Sequence, residues 1–566
     1  MVIKKYAYNE IMRHTMWYKE AIIYQIYPRS FCDSNNDGIG DIKGIISKLD
    51  YLQELGVNAV WLSPIYDSPQ EDNGYDISDY KKVYPPFGTL EDMKILIAEM
   101  HKRGIKLIMD LVVNHTSSEH QWFKEALLDP SSPYRDYYII KKGRKNGKKP
   151  PNNWSGFFGE GAWERIPNSE DYYLHLFAKG QPDLNWENPK VREEVKDILR
   201  FWLEMGVDGF RCDVITLISK KQDFKNRFPT IALTGKDAYV MGPRIHEFLH
   251  ELYEDVYTNY DAMTVGETVM SSLEEAKMLV DPKRQELDMI FNFDITDTDN
   301  IMGVKYLYRK FKLQRMKKVY RKWQKGLDEI NGWNSLFLEN HDQRRLPGRF
   351  NTNEKDLREV SMKMIASSYF LLKGTPFIYQ GQEIGMTNAH FEKLEDYKDV
   401  EIHNIMNLRK HHPLVKMIVK EKVAYEVSRD NARTPMQWDD TEYAGFSKVE
   451  PWIKVNPNKE YINVKQSLES NDSIFHYYQD LINIKKNHPV IKDGEVIELF
   501  KNDNKVYAYE RKNKDESIVV ITSFSDKPIK RKALEEFKDN ELLLCNYQEI
   551  NDIISLRPYE ARIYKK

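Results

Sequence analysis

The chain has 566 residues, 41% of them apolar and 30% charged, with a net charge of -3 at pH 7. That balance excludes a disordered chain and gives no electrostatic reason to bind nucleic acid or an anionic membrane. No apolar run approaches the ~20 residues of a membrane span, and the N-terminus lacks a signal peptide's apolar core and cleavage site.

Met1 to Thr15 show neither periodicity nor repeat and read as an N-terminal extension (1–15), with Met16 a candidate functional start. Ala21 to Ile26 then reads as a strand, Ile42 to Leu55 as an amphipathic helix closed by Gly56, and Val57 to Leu62 as a second strand. Leu90 to Arg103, Gly104 and Ile105 to Val113 repeat that order, as do Val191 to Met205, Gly206 and Val207 to Val214. Helix, glycine cap and strand in steady alternation predict parallel βα units, and this many of them predict a (β/α)8 TIM barrel. The rhythm fails from His115 to about Pro189, where Pro, Gly, Asn and aromatics crowd together. An inserted loop-rich domain over 116–189, after the third strand, would lie over the barrel rim. Its basic run from Lys141 to Lys149 reads as a solvated loop. Short alternating strands from Pro489 onward predict a C-terminal antiparallel β-sandwich domain (489–566), which leaves 16–115 and 190–488 for the barrel.

Four segments end apolar runs with polar residues: Asp110-Leu111-Val112-Val113-Asn114-His115, Gly209-Phe210-Arg211-Cys212-Asp213-Val214, Val265-Gly266-Glu267-Thr268 and Glu339-Asn340-His341-Asp342. Each reads as a strand tip, and chemistry in a barrel gathers at that rim. Glycoside cleavage needs one carboxylate to attack the sugar and one carboxylic acid to protonate the departing oxygen. Asp213 and Glu267, from different tips, can flank a bond. Arg211 shares the face of Asp213 and can keep it ionised, and Asp342 adds a third acid. Cys212 faces the helix layer by the same alternation, a packing position rather than a nucleophile. With Cys32 and Cys545 it completes an odd set without metal-ligand spacing, which points to a reducing cytoplasm.

These four segments resemble the signature regions of the α-amylase family, glycoside hydrolase family 13. Gln181-Pro182-Asp183-Leu184-Asn185 and Gly374-Thr375-Pro376 through Gly385 match as well. The resemblance implies Asp213 as nucleophile, Glu267 as general acid/base and Asp342 as transition-state stabiliser. It also implies a retaining mechanism with the two reacting carboxylates roughly 5–5.5 Å apart. Within the family the chain is most similar to the oligo-1,6-glucosidase and α-glucosidase group. Asp72 and Tyr75 resemble residues that hold the terminal glucose, and His115, Phe177, Gln181, Arg211 and His341 match others lining the sugar. Arg429 matches the arginine that pairs with the carboxylate at the pocket floor, with Arg433 the weaker alternative. Val214, where α-1,4 enzymes carry Ala or Thr, implies a preference for α-1,6 bonds. A stiff β-branched side chain there would select linkage geometry, an effect of about 1–3 kcal/mol.

Asp33-Ser34-Asn35-Asn36-Asp37-Gly38-Ile39-Gly40-Asp41 spaces oxygen donors as the start of a calcium loop does, although Gly44 stands at position twelve. The loop resembles the group's calcium site, which implies Asp33, Asn35, Asp37, the Ile39 carbonyl and Asp41 as ligands of a structural Ca2+. The competing reading is a polar turn held by Asx hydrogen bonds. Expected, then, is an exo-acting α-glucosidase of isomaltose and short isomalto-oligosaccharides, with an oligosaccharide or disaccharide as partner and a monomeric or weakly homo-oligomeric state. Three relatives in the group stay open: a broad α-glucosidase, a sucrose isomerase and a trehalose-6-phosphate hydrolase. Ile295-Thr296-Asp297-Thr298-Asp299 lacks the arginines of the isomerases, whereas Arg344 in Gln343-Arg344-Arg345 leaves a phosphorylated sugar open. A non-catalytic sugar-binding barrel would have lost the acids that are present here.

Overall fold

Alternation along each strand decides which side chains fill the barrel and which meet the helices. The computed structural model describes residues 16–566 apart from Glu160, Ile231, Ala232, Met302, Gly303 and Glu354, so the extension expected over 1–15 lies outside the described residues. The barrel strands are β1 (Ile23–Ile26), β2 (Ala59–Leu62), β3 (Lys106–Leu111), β4 (Gly209–Cys212), β5 (Met263–Glu267), β6 (Met289–Phe291), β7 (Trp333–Leu336) and β8 (Thr375–Tyr379). Each pairs in parallel with its sequence neighbours, and β1 pairs with both β2 and β8, closing the ring. Ile23, Ala59, Trp61, Ile108, Met263, Val265 and Met289 pack together inside it. Their neighbours Tyr24, Val60, Leu62, Leu107, Met109, Phe210 and Cys212 join a larger core shared with the helices. This period of two carries the inward set on to Gln25, Asp110, Arg211, Asp213 and Glu267, where the strands end at the rim.

One principal helix follows each strand: α1 (Leu49–Leu55), α2 (Leu90–Lys102), α3 (Pro189–Met205), α4 (Ile245–Asp255), α5 (Leu273–Val280), α6 (Leu313–Asp328), α7 (Arg358–Phe370) and α8 (Ile474–Asn487). Thr89 with Asp92 and Ser272 with Glu275 form capping boxes at the starts of α2 and α5. Gly206 ends α3 at φ 110°, a left-handed turn that a side chain would strain. The helix expected over Ile42 to Leu55 is two pieces, Ile42–Ile46 and α1. Ser47 Oγ donates to the Gly44 carbonyl at 2.7 Å and Lys48 leaves helical geometry, which breaks the first helix.

The insertion between β3 and α3 is more regular than its composition suggests. It holds a helix (Gln121–Leu128) and a three-stranded antiparallel sheet of Ile140–Lys142, Asp171–Leu174 and Trp163–Arg165. Strands of three or four residues are too short to leave a periodic signal in the sequence. Residues 181–185 return beside the end of β3, with Leu184 N donating to the Asn114 carbonyl at 2.9 Å, and so close the insertion. Its core includes Trp154, Trp163, Tyr172, Leu174 and Leu176, and reaches Val214, Leu217 and Tyr239 of the segment after β4.

After α8 comes an antiparallel sheet of β9 (Glu495–Leu499), β10 (Val506–Lys512), β11 (Ser517–Ser523), β12 (Glu541–Cys545) and β13 (Ala561–Lys565), ordered β9-β10-β11-β13-β12. A two-stranded ribbon, Ile529–Lys530 with Ser555–Leu556, packs Ile529 and Leu556 against Val506, Ala508, Val519 and Ile521 of that sheet. Among the described residues no helix is long and apolar enough to cross a membrane.

Candidate active site

Arg211 is the hub of the rim. From the inward face of β4 its guanidinium reaches Asp110 Oδ1 at 2.6 Å, Asp213 Oδ1 at 2.7 Å and Glu267 Oε2 at 2.6 Å. Three buried carboxylates from the tips of β3, β4 and β5 thus share one cation. Asp110 also accepts from Trp61 Nε1 (2.9 Å) and Tyr75 Oη (3.2 Å). Burial pushes Asp110 up to about 6 against the pull of Arg211. Burial pushes Asp213 well above the usual carboxylate range too; Arg211 opposes the shift, and the charges of Glu267 and Asp110 add to it. A cluster with more carboxylates than cations holds a proton tightly.

Facing this cluster is a second one of opposite character. Asp342 follows β7, and its Oδ1 accepts from Arg433 Nη2 at 2.6 Å and from Arg429 Nη1 at 3.5 Å. Burial opposes ionisation there, but His341, Arg429, Arg433 and Arg211 outweigh it and hold Asp342 well below the usual range. Gln25 Nε2 donates to His341 Nδ1 at 2.8 Å, so the ring proton sits on Nε2. That nitrogen lies 2.8 Å from Tyr75 Oη and 3.3 Å from Asp342 Oδ2, and Tyr75 stacks on the ring with centroids 5.3 Å apart. Burial pushes His341 down to about 3 and His115 to about 4, so both are neutral holding groups.

At the pocket floor Arg429 Nη2 donates to Asp72 Oδ1 (3.1 Å), the pairing expected from the sequence. Gln181 Nε2 donates to Asp72 Oδ2 and to the Tyr75 carbonyl, each at 3.2 Å, and lies equally near His115 Nε2. Phe177 packs on His115 with ring centroids 5.2 Å apart. The structure therefore links Asp72, Tyr75, His115, Phe177, Gln181, Arg211, Asp213, Glu267, His341, Asp342 and Arg429 in one network of contacts. Val214 sits beside them, buried, with its N–H donating to Glu267 Oε2 at 3.1 Å.

Two members of this network escaped the sequence reading, and a third, Arg433, was ranked behind Arg429. Asp399, from the long excursion after β8, grips Arg429 through Nε at 2.9 Å and through Nη2. It is buried, and Arg429 holds it well below the usual range against that burial. No local pattern marks it, because its partner lies thirty residues on. Gln25 did leave a signal, as a polar residue at an inward position of an apolar strand. Arg433 is the principal partner of Asp342, whereas Arg429 serves Asp72 and Asp399. Cys212 packs outward, and burial pushes its thiol up to about 12, which excludes a nucleophilic role at neutral pH.

Arg344 is not a free cation. Its guanidinium donates to Asp299 Oδ2 at 2.6 Å and lies 3.5 Å from Glu426, and Arg349 binds the same Asp299 carboxylate, so two guanidiniums share Asp299.

In the loop expected to bind calcium, Asp33 Oδ1 accepts from Asn35 N and Asn36 N, and Asp33 Oδ2 from Gly38 N. Asn35 Oδ1 accepts from Asp37 N, and Asp37 Oδ1 from Ile39 N. Asp41 turns its oxygens to Ser34 and Gly44 N, capping the short Ile42–Ile46 helix. These are Asx turns. Among the described residues no three acidic, histidine or cysteine side chains converge as a metal cage.

Residues 25–494 match the model of the α-amylase catalytic domain. The chain belongs to the α-amylase family. It is therefore a glycoside hydrolase by descent as well as by the geometry of its rim. It is 52% identical over 561 residues to an oligo-1,6-glucosidase of Parageobacillus thermoglucosidasius, covering 97% of this chain and 99% of that one. Among solved structures it resembles a variant of Bacillus licheniformis trehalose-6-phosphate hydrolase (TM-score 0.91, 42% identity, 97% and 99% of the two chains). It resembles the isomaltulose synthase of Klebsiella sp. LX3 equally in shape (TM-score 0.91, 39% identity, 98% and 100%). The α-amylase-family barrel here thus has neighbours with three different named activities.

Proposed function

We propose that this α-amylase-family member is a retaining exo-α-glucosidase that cleaves terminal α-1,6-linked glucose from isomaltose and short isomalto-oligosaccharides. The observation that carries the chemistry is the single guanidinium of Arg211 holding Asp213 and Glu267, each within 2.7 Å, at one end of the pocket. Asp213 attacks the anomeric carbon while Glu267 gives its proton to the departing oxygen. The glucosyl–Asp213 ester is then cleaved by water, whose proton returns to Glu267. Asp342, kept ionised by two arginines, faces the positive charge that develops on the ring. Asp72, bridged to Arg429, forms the floor that limits the site to one glucose and makes the action exo.

The linkage rests on Val214 and on the oligo-1,6-glucosidase relatives. Arg344 is held on Asp299 rather than standing free, and the 295–299 segment carries no arginine to hold a displaced fructose. Initial rates on isomaltose, maltose, sucrose and trehalose-6-phosphate measured side by side test the reading. Isomaltose is expected to lead by about tenfold or more; a lead for the phosphorylated sugar overturns the assignment.

The proposal includes a structural Ca2+ on the Asp33–Asp41 loop, held by Asp33, Asn35, Asp37, the Ile39 carbonyl and Asp41. The all-oxygen donor set supports it, and the ion would fix the loop without entering the reaction. Chelation is expected to lower Tm by several degrees; an unchanged Tm in metal-free protein leaves the Asx turns as the whole explanation. The three unbridged cysteines support a reducing, cytoplasmic setting.

A further inference from the structure

Val214 has φ 34° and ψ 39°, the left-handed region. A β-branched residue there is a genuine outlier, because its branched side chain crowds the adjacent backbone. Such strain persists only where the surroundings over-determine it. Here they do so from two sides. The Val214 side chain is buried in the core of the inserted domain with Trp154, Leu217 and Tyr239. The next residue, Ile215, lies over Gly266 of β5, where an added Cβ would come within 3.1 Å of Ile215 Cγ2.

Asp213 N donates to the Leu111 carbonyl of β3 at 3.0 Å. The next N–H points to the other neighbour, as alternation along a strand requires, and Val214 N donates to Glu267 Oε2 at 3.1 Å. The left-handed turn at Val214 then bends the chain that follows toward the inserted domain. Arg211 Nη2 binds that same oxygen at 2.6 Å. One oxygen of Glu267 is therefore pinned by two donors, which leaves Oε1 to face the glycosidic oxygen.

We propose that Val214 is a positioning residue for proton transfer, acting through its strained backbone N–H. The core of the inserted domain anchors the Val214 side chain, the anchored residue holds its N–H in place, and the N–H orients the acid. This role rests on the assignment of Glu267 as the acid and is separate from any selection of linkage by the side chain. It also gives the insertion a task in catalysis, since the domain that covers the rim fixes the geometry of the proton donor.

The experiment replaces the Val214 amide by an ester, inserting 2-hydroxyisovalerate at that position in the full-length enzyme. The side chain stays and only the N–H is lost. The readout is the ratio of kcat/KM for phenyl α-glucoside to that for 2,4-dinitrophenyl α-glucoside. Phenol needs its oxygen protonated as it leaves, whereas dinitrophenolate does not. The ratio is expected to fall by about tenfold or more; an unchanged ratio overturns the proposal, whatever happens to the absolute rates. Val214→Gly keeps the donor but removes the side chain that anchors it in the insertion core, so its ratio is expected to fall too, by less than the ester's. A Gly variant at the wild-type ratio would overturn the insertion's part in holding the N–H. Absence of α-glucoside hydrolysis in the wild-type enzyme would instead defeat the functional assignment itself.

Discussion

Two ionic clusters built from the same residue types face each other across the pocket, and they titrate in opposite directions. Around Arg211, one guanidinium serves Asp110, Asp213 and Glu267; across the pocket, Arg429 and Arg433 serve Asp72, Asp342 and Asp399. In the first, Asp110 and Asp213 are pushed up; in the second, Asp342 and Asp399 are held down. Asp72, which shares only one end of Arg429, is the member of the second cluster that still rises with burial. The ratio of cations to carboxylates, more than burial, therefore sets which side keeps a proton and which keeps a charge. Charge stabilisation by Asp342 needs the latter, so the asymmetry separates Asp342 from the two acids that share Arg211.

The comparison can be broken most severely at Asp213, the proposed nucleophile. Asp213→Asn is expected to lower kcat on isomaltose by about 10⁴-fold or more, without unfolding the chain. Retention of a tenth of the activity would remove Asp213 from the reaction. Next in size is the loss of the lone cation. Arg211→Met leaves three buried carboxylates without a cation and is expected to cost about 3–5 kcal/mol in denaturant unfolding, together with activity. Arg433→Met removes one cation of two, and Arg429 remains beside Asp342. Stability should fall by only about 1–3 kcal/mol, while kcat drops on the order of 10²-fold. Equal destabilisation by the two arginine variants would contradict the idea that cation count distinguishes the clusters.

The smallest effect is a slope. Asp110 lies near 3.8 when unfolded and at about 6 when folded, so between those values the folded state binds more protons. Its contribution to stability is present below the unfolded value and is lost as pH rises from about 4 through about 6, at up to about 1.4 kcal/mol per pH unit. His115 and His341 act in the opposite sense. Their folded values of about 4 and about 3 lie below the unfolded 6.5, so they favour the folded state increasingly as pH rises through that window. The wild-type curve mixes both, and the difference between Asp110→Asn and wild type isolates the first. Relative to wild type, the variant should gain stability from pH 4 to 6; a flat difference would show that Asp110 keeps no proton.

Much of this was readable one residue at a time. The helix–glycine–strand repeats announce the barrel because backbone periodicity and left-handed caps are local properties. The same period of two places Arg211, Asp213 and Glu267 inward and Cys212 outward before any contact is known. Where segments were short, the signal faded: the insertion's strands and the break at Ser47 and Lys48 left no pattern. Where partners were distant, there was none. Asp399 reaches Arg429 from a loop with no motif, and Asp299 claims Arg344 from forty-five residues away.

The sequence by itself determined the barrel and the acid-bearing strand tips, since each depends on periodicity or on a short run of neighbours. Only the tertiary structure decided how cations are shared among those acids, that Arg433 rather than Arg429 is the principal partner of Asp342, and that Arg344 is already paired. It alone set Val214 in a left-handed turn with its N–H on Glu267. These are sums over groups brought together from strands, insertion and excursion, and charge balance and backbone strain are properties of that assembly, with no counterpart in any single stretch of chain.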